Sequence, residues 1–191
     1  MVLEHYLERE SIANVMRWMY SRGIVQVRGG NASIVLPGRR EMLISPTGIP
    51  RPLVGPGMIA RMTLEGEVLE GRPSSEWRMH AEIYKRQPRA VAVVHAHPRS
   101  LLALTYRGLW IDPGLLSEAG IQVTCIGRAP YIRPGTLELA QAVAGEAARG
   151  CNVIIMERHG AAVWSDRSIY HALDLLEAIE DLAWITLQLN R

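Results

Sequence analysis

The sequence predicts an α/β protein, a three-layer α/β/α sandwich with a mixed, largely antiparallel central sheet. Segments with the apolar spacing of helices alternate along the chain with short apolar runs that are typical of strands. Several neighbouring strands are separated only by short turns, which join antiparallel strands, whereas parallel strands need longer crossovers. The helices are numerous enough to cover both faces of such a sheet. A purely parallel, doubly wound topology is therefore disfavoured.

The first half of the chain predicts one helix and two hairpins. Glycine and proline mark its turns and stops. The predicted elements are a helix over residues 3–22 that ends at Gly23, strands in IVQV (24–27), ASIVLP (32–37) and EMLIS (41–45), a turn at Pro37-Gly38, and a second hairpin in MIARMTLEGEVLEG (58–71) around Glu65-Gly66.

The second half of the chain predicts alternating helices and strands. Its last helix has a capping residue at either Ser165 or Asp166. The predicted elements are a helix from about Ser75 to Arg86, a strand in AVAVVHAH (90–97), a helix over 99–107, a strand in IQVTCIG (121–127), a helix in TLELAQAVAGEAAR (136–149), a strand or strand pair in NVIIMERHGAAVW (152–164), and the closing helix to 190.

Length and composition are those of a soluble, cytoplasmic protein. The 191 residues suit a single domain spanning 1–191. The formal net charge is +2 and no basic stripe is present, so we expect no nucleic-acid partner. No apolar stretch approaches the ~20 residues of a membrane span, so we expect no membrane partner. Two cysteines, Cys125 and Cys151, predict no disulfide framework.

A pair of histidines lies at the end of a valine-rich run, in VVHAHP (93–98). Side chains two residues apart point to the same face of a strand, so His95 and His97 share a face. Imidazole is the commonest protein ligand for metals. The pair is either part of a metal site or two polar residues at an exposed edge, and the pattern alone leaves both open.

A third candidate ligand is His159 in IIMERHGAAVW. It follows an apolar strand and precedes Gly160, as the first pair follows its strand. A catalytic zinc site typically has three protein ligands and an open position. Taken alone, His159 is better explained as a polar turn residue. The remaining histidines, His5, His80 and His171, fit a metal site less well because they lie on predicted helices.

The segment PSSEWRMH (73–80) offers a base, Glu76, at a predicted helix start beside Ser74 and Ser75. A single serine there is sufficiently explained as a helix cap. Two hydroxyls at the positive end of a helix also form a natural anion site that suits a phosphate.

Two further loops are small and polar. Gly29-Gly30-Asn31 allows close backbone approach, and Ser45-Pro46-Thr47-Gly48 offers hydroxyls and an amide-rich turn. Each alone is usually an ordinary turn. Together with Ser74 and Ser75 they could surround an oxyanion. Lys85 is the only lysine, which disfavours most chemistry that proceeds through a Schiff base.

The motifs GGNAS, LISPTGIP, PSSEWRMH, VVHAHP and ERHGAAV resemble, in order and approximate spacing, those of the class II aldolase/adducin family. The resemblance covers nearly the whole chain. It implies a three-layer α/β/α fold, a Zn²⁺ cofactor (or another divalent metal), and a homotetramer with active sites at subunit interfaces. Members that the chain resembles most cleave a ketose 1-phosphate, such as L-fuculose 1-phosphate, to dihydroxyacetone phosphate and an aldehyde.

The resemblance also implies roles for individual residues. His95, His97 and His159 would bind the metal, with Glu76 completing its coordination and acting as the catalytic acid/base. The substrate phosphate would be held by Asn31, Thr47, Gly48, Ser74 and Ser75. A tyrosine that some members place near the aldehyde has no counterpart in GLWIDPGLLSEAG (108–120).

Alternative functions remain within and outside the family. Sugar-phosphate 4-epimerases and methylthioribulose-1-phosphate dehydratases of this family use the same histidines, although epimerases typically carry aspartate where Glu76 stands. The adducin branch works in protein association and has lost the metal ligands, all of which are present here. A zinc hydrolase or a cupin could also use an HxH pair, but a cupin expects a glutamate shortly afterwards, and PRSLLALTYR has none.

Overall fold

The computed structural model describes residues 3–190, so residues 1, 2 and 191 of the predicted domain lie outside the described part. One eight-stranded sheet runs through it, with helices packed on both faces. In chain order the elements are α1 (Tyr6–Ser21), β1 (Asn31–Val35), β2 (Glu41–Ile44), β3 (Ala60–Thr63), β4 (Val68–Glu70), α2 (Trp77–Arg86), β5 (Ala92–Ala96), α3 (Arg99–Tyr106), α4 (Ser117–Gln122), β6 (Ile126–Ala129), α5 (Leu137–Ala148), β7 (Val153–Met156), β8 (Gly160–Ser165) and α6 (Ile169–Leu189).

The strand order is β4-β3-β2-β1-β5-β8-β7-β6, and every pair is antiparallel except β6 with β7, which are parallel. The predicted fold class, a three-layer sandwich with a mixed and largely antiparallel sheet, is therefore confirmed. Both predicted hairpins are present, as β1–β2 and β3–β4. No helix within residues 3–190 is long and apolar enough to cross a bilayer.

The core consists of two apolar clusters, one on each side of the sheet, because alternate strand residues face opposite sides. Val94 and Ala96 of β5 pack with α1, α3 and α6, whereas Val93 packs with α2 and α5 on the other side. His95 shares the face of Val93, so it points toward α2. The central position of β5, between β1 and β8, makes this histidine fully buried.

Two strand predictions are wrong in position. IVQV (24–27) forms no strand, because its backbone turns back onto α1 and Ile24 N–H donates to the Met19 carbonyl at 3.0 Å. IQVTCIG (121–127) begins in α4, and only its end joins β6. Ile24, Val25 and Val123 of these segments are buried, whereas Val27 and Ile121 are exposed, so the apolar content of the two segments does not correspond to a strand.

Two further predictions need correction. Cys125 and Cys151 form a disulfide, because each lies just before one of the parallel neighbours β6 and β7, which places their Cα atoms 4.5 Å apart. The cap of α6 is Ser168, whose Oγ accepts from His171 N–H at 3.1 Å, and not Ser165 or Asp166. Ser165 Oγ instead accepts from the N–H groups of Arg167 and Ser168 in the turn before the helix.

Candidate active site

Glu76, His95, His97 and His159 meet at one edge of the sheet. Each offers one donor atom, and these atoms all lie within 4.8 Å of one another. Glu76 stands at the start of α2, His95 near the end of β5, His97 just beyond it, and His159 in the turn between β7 and β8. Three separate parts of the chain therefore deliver one donor set.

The approach of His159 to the other histidines depends on Gly160. β8 pairs with β5 up to Ala96 opposite Ala161, so Gly160 lies against the end of β5. A Cβ at Gly160 would lie 2.1 Å from the Ala96 carbonyl oxygen, and its φ of +151° lies in the left-handed region that favours glycine. Glycine is needed here for the β7–β8 turn to bring His159 beside His97.

Hydrogen bonding fixes the orientation of His95. Its Nδ1–H donates to the Ala161 carbonyl at 2.8 Å, so the lone pair is on Nε2. That Nε2 lies 3.3 Å from Glu76 Oε2 and 3.0 Å from His97 Nε2, while His159 Nε2 lies 3.3 Å from Glu76 Oε1. Backbone support of this kind is typical of metal-binding histidines.

The charges in this cluster act on one another strongly. Burial alone would raise the pKa of the Glu76 carboxyl, but the adjacent His95 and His159 hold it well below its usual range. Burial also lowers the pKa of His95, and the Glu76 carboxylate outweighs this and raises it. Burial together with His95 and His159 lowers the pKa of His97 to about 3, so this imidazole is neutral and able to donate a lone pair.

These residues fit a divalent metal. Three imidazoles and one carboxylate form a donor set that suits zinc and its first-row neighbours. Glu76 Oε1 is buried and has no hydrogen-bond partner in the described residues, as expected for an oxygen that faces a cation. A cation between the two converging Nε2 atoms of His95 and His97 would also offset the repulsion of their lone pairs.

A cleft of about 540 Å³ opens beside the four residues. Its floor includes Glu76, His97 and His159, and its walls come from the loop after α1, the start of α2 and the segment before α5. The remaining lining residues are Gln26, Ser75, Leu102, Pro134 and Gly135. A small polar molecule in this cleft would contact the histidines and the start of α2 together.

The structure brings the two predicted oxyanion segments after β2 and before α2 together. Thr47 N–H donates to the Arg72 carbonyl at 3.1 Å, and Ser74 N–H donates to the Ser45 carbonyl at 3.0 Å. Ser74 Oγ accepts from Glu76 N–H at 3.3 Å, in the turn that leads into α2. Ser75 lines the cleft. Gly48 is exposed and has a φ of +74°.

Asn31 is placed differently from the other predicted phosphate ligands. It is the first residue of β1, directly opposite His95 in the neighbouring strand, and is only 2% exposed. Its side-chain Nδ2 donates to Glu76 Oε2 at 2.9 Å and its Oδ1 accepts from His80 Nε2. Both ends of this amide are therefore held by protein groups.

Sequence reasoning missed Arg51, which joins the loops around the site. It is 3% exposed, and its guanidinium donates to four backbone carbonyls at 2.8–3.0 Å, those of Arg28, Gly29, Gly30 and Pro46. Burial lowers the pKa of Arg51 to about 10, so it keeps its charge at neutral pH. A proline-flanked arginine in GIPRPL carries no sequence signal for this role, because its partners are backbone groups.

Replacing Arg51 with methionine is expected to lower the free energy of unfolding by at least about 3 kcal/mol, because four carbonyls lose their donor at roughly 1–3 kcal/mol for each that stays buried and unpaired. Urea denaturation measures this. Arg28→Met is the control, since the side chain of Arg28 is exposed and its removal should change stability by less than about 0.5 kcal/mol. Equal losses in the two variants would contradict the role of Arg51.

Sequence reasoning also set aside His80, which is fully buried against β1 and does not join the metal-type cluster. Burial lowers the pKa of His80 to about 3, so it is neutral. A signal was available: Glu76, His80 and Tyr84 recur every four residues, which places them on one face of α2.

The fold and the site together define an α/β protein with a histidine–carboxylate cluster, suited to a divalent metal, at the edge of a mixed sheet. Residues 10–187 match the family described as the Class II Aldolase and Adducin N-terminal domain. The chain belongs to the class II aldolase/adducin family, and the resemblance found in its motifs is confirmed.

Relatives of known name include enzymes with different substrates. The chain is 33% identical over 187 residues to 3-oxo-tetronate 4-phosphate decarboxylase of Cupriavidus necator, covering 94% of this chain and 84% of the relative. It is 30% identical over 192 residues to L-fuculose phosphate aldolase of Methanococcus vannielii, covering 97% and 100%. It is 33% identical over 186 residues to 5-deoxy-D-ribulose 1-phosphate aldolase of Bacillus thuringiensis, covering 95% and 84%.

Solved structures with the same fold include L-fuculose-1-phosphate aldolase from Thermus thermophilus, with a TM-score of 0.83 and 27% identity over 96% of this chain and 95% of that one. YgbL from Klebsiella pneumoniae, described as a candidate aldolase/epimerase/decarboxylase, has a TM-score of 0.87 and 29% identity, covering 98% of this chain and 92% of that chain. The named relatives therefore include lyases that act on several substrates.

Proposed function

We propose that this protein is a metal-dependent class II aldolase. It reversibly cleaves a ketose 1-phosphate of the L-fuculose 1-phosphate type to dihydroxyacetone phosphate and an aldehyde of the lactaldehyde type. The observation that carries the proposal is the Glu76 carboxylate at the floor of an open cleft: Oε2 accepts from Asn31 and lies 3.3 Å from His95 Nε2, and Oε1 lies 3.3 Å from His159 Nε2. The relatives named L-fuculose phosphate aldolase support the choice of substrate class.

In this proposal His95, His97 and His159 hold Zn²⁺, and Glu76 completes the coordination before substrate arrives. When bound, the metal supplies a Lewis acid that polarises a carbonyl oxygen and offsets negative charge developing beside it. The neutral state of His97 and the backbone hydrogen bond of His95 favour donation of their lone pairs.

The substrate phosphate is proposed to lie at the start of α2. Ser74 and Ser75 precede this helix, Thr47 and Gly48 lie in the adjoining segment, and the backbone N–H groups of a helix start attract an anion. Asn31, the first residue of β1, completes the predicted set. Arg51, which holds the neighbouring loops, adds a buried positive charge nearby. These contacts anchor the substrate away from the bond that breaks.

Glu76 is proposed to move the proton at the reacting carbon. When the bond between C3 and C4 breaks, the C4 hydroxyl becomes the aldehyde oxygen, and its proton passes through water to the Glu76 carboxylate. The cleavage leaves an enediolate over C2 and C3, and the Glu76 carboxyl then gives its proton to C3 to form dihydroxyacetone phosphate. In the reverse direction its carboxylate removes one hydrogen from the same carbon. The carboxylate lines the cleft and is within reach of a substrate bound there.

A second candidate function is the decarboxylation of a 3-oxo acid 4-phosphate. Loss of CO₂ from 3-oxo-tetronate 4-phosphate leaves the same enediolate. Glu76 takes up a proton from water and passes it to carbon, which again gives dihydroxyacetone phosphate. This candidate is favoured by one observation: none of the eight residues that line the cleft is a tyrosine, and CO₂ leaves without the hydroxyl chemistry that an aldehyde requires. The decarboxylase relatives support it.

Parallel assays of the two substrates test the proposal. Zinc-loaded protein is given L-fuculose 1-phosphate or 3-oxo-tetronate 4-phosphate, and dihydroxyacetone phosphate is measured in both, with CO₂ in the second. We expect the aldol substrate to have the higher kcat/KM, with activity lost on chelation and regained with Zn²⁺. A higher kcat/KM for the 3-oxo acid would replace the aldolase with the decarboxylase. Turnover of neither substrate would favour an epimerase, a dehydratase or an association domain.

We also propose a homotetramer with active sites at subunit interfaces, which would supply the aldehyde side of the site. The openness of the cleft supports this arrangement, as do exposed apolar side chains such as Tyr106 and Trp110, which are 69% and 44% exposed and lie four residues apart in the chain. Light scattering coupled to size exclusion measures the mass directly against the 21.3 kDa of one chain.

A further inference from the structure

A chain of buried polar side chains runs behind Glu76. Glu76, directly before α2, and His80 and Tyr84 on α2 are spaced four residues apart. Asn31 and Ser33 on β1 are spaced two apart, and the two sets face each other. Ser33 Oγ lies 2.7 Å from both His80 Nδ1 and Tyr84 Oη. His80 Nε2 bonds Asn31 Oδ1, and Asn31 Nδ2 reaches Glu76 Oε2 at 2.9 Å.

The ionised Glu76 carboxylate, at one end of this series of hydrogen bonds, determines the direction of every bond in it. An ionised carboxylate can only accept, so Asn31 must present its NH₂ to Glu76 and its Oδ1 to His80. His80 therefore donates through Nε2–H, and its Nδ1 accepts from the Ser33 hydroxyl. The Ser33 oxygen in turn accepts from the Tyr84 hydroxyl. With the opposite tautomer of His80, the Asn31 amide would turn round and place an oxygen against the carboxylate.

We propose that His80 is a positioning residue for Glu76. Its Nε2–H fixes the Asn31 amide, and the amide holds Glu76 Oε2, so that Oε2 stays beside His95 and Oε1 beside His159. This inference rests on the proposed role of Glu76, and it assigns Asn31 to the carboxylate in addition to the phosphate. His80 acts through Asn31 and does not touch the substrate.

The burial of these polar side chains indicates that they do more than fill space. Asn31, Ser33, His80 and Tyr84 are each at most 2% exposed, and none of their side-chain polar atoms lacks a partner in the described structure. Burying four polar side chains is costly unless all are satisfied, and apolar residues of similar shape would stabilise this face at no such cost. A fully satisfied network of this kind fixes one geometry.

Two substitutions of His80 separate positioning from mere stability. The amide of glutamine reaches the place of Nε2, so His80→Gln keeps a donor for Asn31 and loses the acceptor for Ser33. The shorter amide of asparagine reaches the place of Nδ1, so His80→Asn keeps the Ser33 contact and loses the donor to Asn31. Each variant removes one buried hydrogen bond, so their melting temperatures should be similarly lowered.

Kinetics and metal affinity of the two variants provide the test. We expect His80→Asn to lower kcat about 10- to 100-fold with KM unchanged, and to weaken Zn²⁺ binding, measured against a chromophoric chelator, by a similar factor. His80→Gln should retain the wild-type kcat and zinc affinity. Equal effects of the two variants, or a loss confined to KM, would overturn the positioning role.

A third variant covers the case in which the His80 substitutions fail to fold. Ser33→Ala removes the hydroxyl that donates to His80 Nδ1, so the His80 ring is held less firmly against Asn31, and kcat should fall without a rise in KM. An unchanged kcat would overturn the proposal. The zinc affinity distinguishes failure of this proposal from failure of the proposed function. If the wild-type protein is inactive, but His80→Asn binds zinc more weakly than the wild type and His80→Gln does not, the proposed reaction is wrong and the positioning role of His80 stands.

Discussion

Replacing Glu76 with glutamine is expected to lower turnover about 10²- to 10⁴-fold, the range that a positioned acid/base contributes. Glutamine keeps the length of the side chain and an oxygen that can accept from Asn31, but it cannot take up or release the proton at the reacting carbon. The three histidines remain, so Zn²⁺ binding and KM should change far less than kcat. Steady-state kinetics and zinc titration on the same preparation measure both.

Glu82→Gln is the matched control for this variant. Glu82 lies on the same helix but pairs with Lys85 and Arg86 at 3.5 and 3.4 Å, away from the cluster. Its substitution should leave kcat and KM at their wild-type values. A Glu76→Gln enzyme with undiminished kcat would show that another group moves the proton, and the assignment of Glu76 would then be wrong.

The second large effect is expected from removing one histidine of the cluster. His97→Ala should weaken Zn²⁺ binding by more than about 100-fold, beyond the 10- to 100-fold that outer partners of a metal site contribute. Turnover at limiting zinc should fall in parallel and recover partly when zinc is added in excess. His97 suits this test because it is only half-buried, and within residues 3–190 its Nδ1 and Nε2 are hydrogen-bonded only to Gln26 and His95.

His5→Asn controls for the loss of a histidine elsewhere in the chain. His5 precedes α1 in a left-handed conformation with φ +56°, which asparagine tolerates, and its nearest charged partner is Glu4. Zinc affinity and turnover should be unaffected. If His97→Ala bound zinc as tightly as His5→Asn, His97 would not be a metal ligand.

Much of the fold followed from local patterns. The β1–β2 and β3–β4 hairpins and all the long helices are where periodicity and turn residues predict them. Errors arose where tertiary packing decided the outcome. Ile24 and Val25 are as apolar as a strand, but they bury themselves by folding back beneath α1. The Cys125–Cys151 bridge depends on the parallel pairing of β6 with β7, which spacing in the sequence does not reveal.

The candidate site, like the fold, was predictable where local sequence patterns determine it. Strand ends and a helix start singled out His95, His97, His159 and Glu76, and these four side chains converge in the structure. Arg51 could not be found in this way because its partners are carbonyl groups of distant loops. His80 carried a periodic signal with Glu76 and Tyr84, but its meaning depends on Asn31 and Ser33 across the interface between α2 and β1.

Proton exchange in dihydroxyacetone phosphate is the most direct test of metal-assisted proton transfer at this site. Zinc-loaded protein and dihydroxyacetone phosphate are combined in D₂O, and proton NMR follows the hydroxymethylene hydrogens. We expect one of the two hydrogens to be lost stereospecifically, with a chelator stopping the exchange and Zn²⁺ restoring it. Protein that contains stoichiometric zinc and exchanges neither hydrogen would contradict the proposed chemistry for both the aldolase and the decarboxylase.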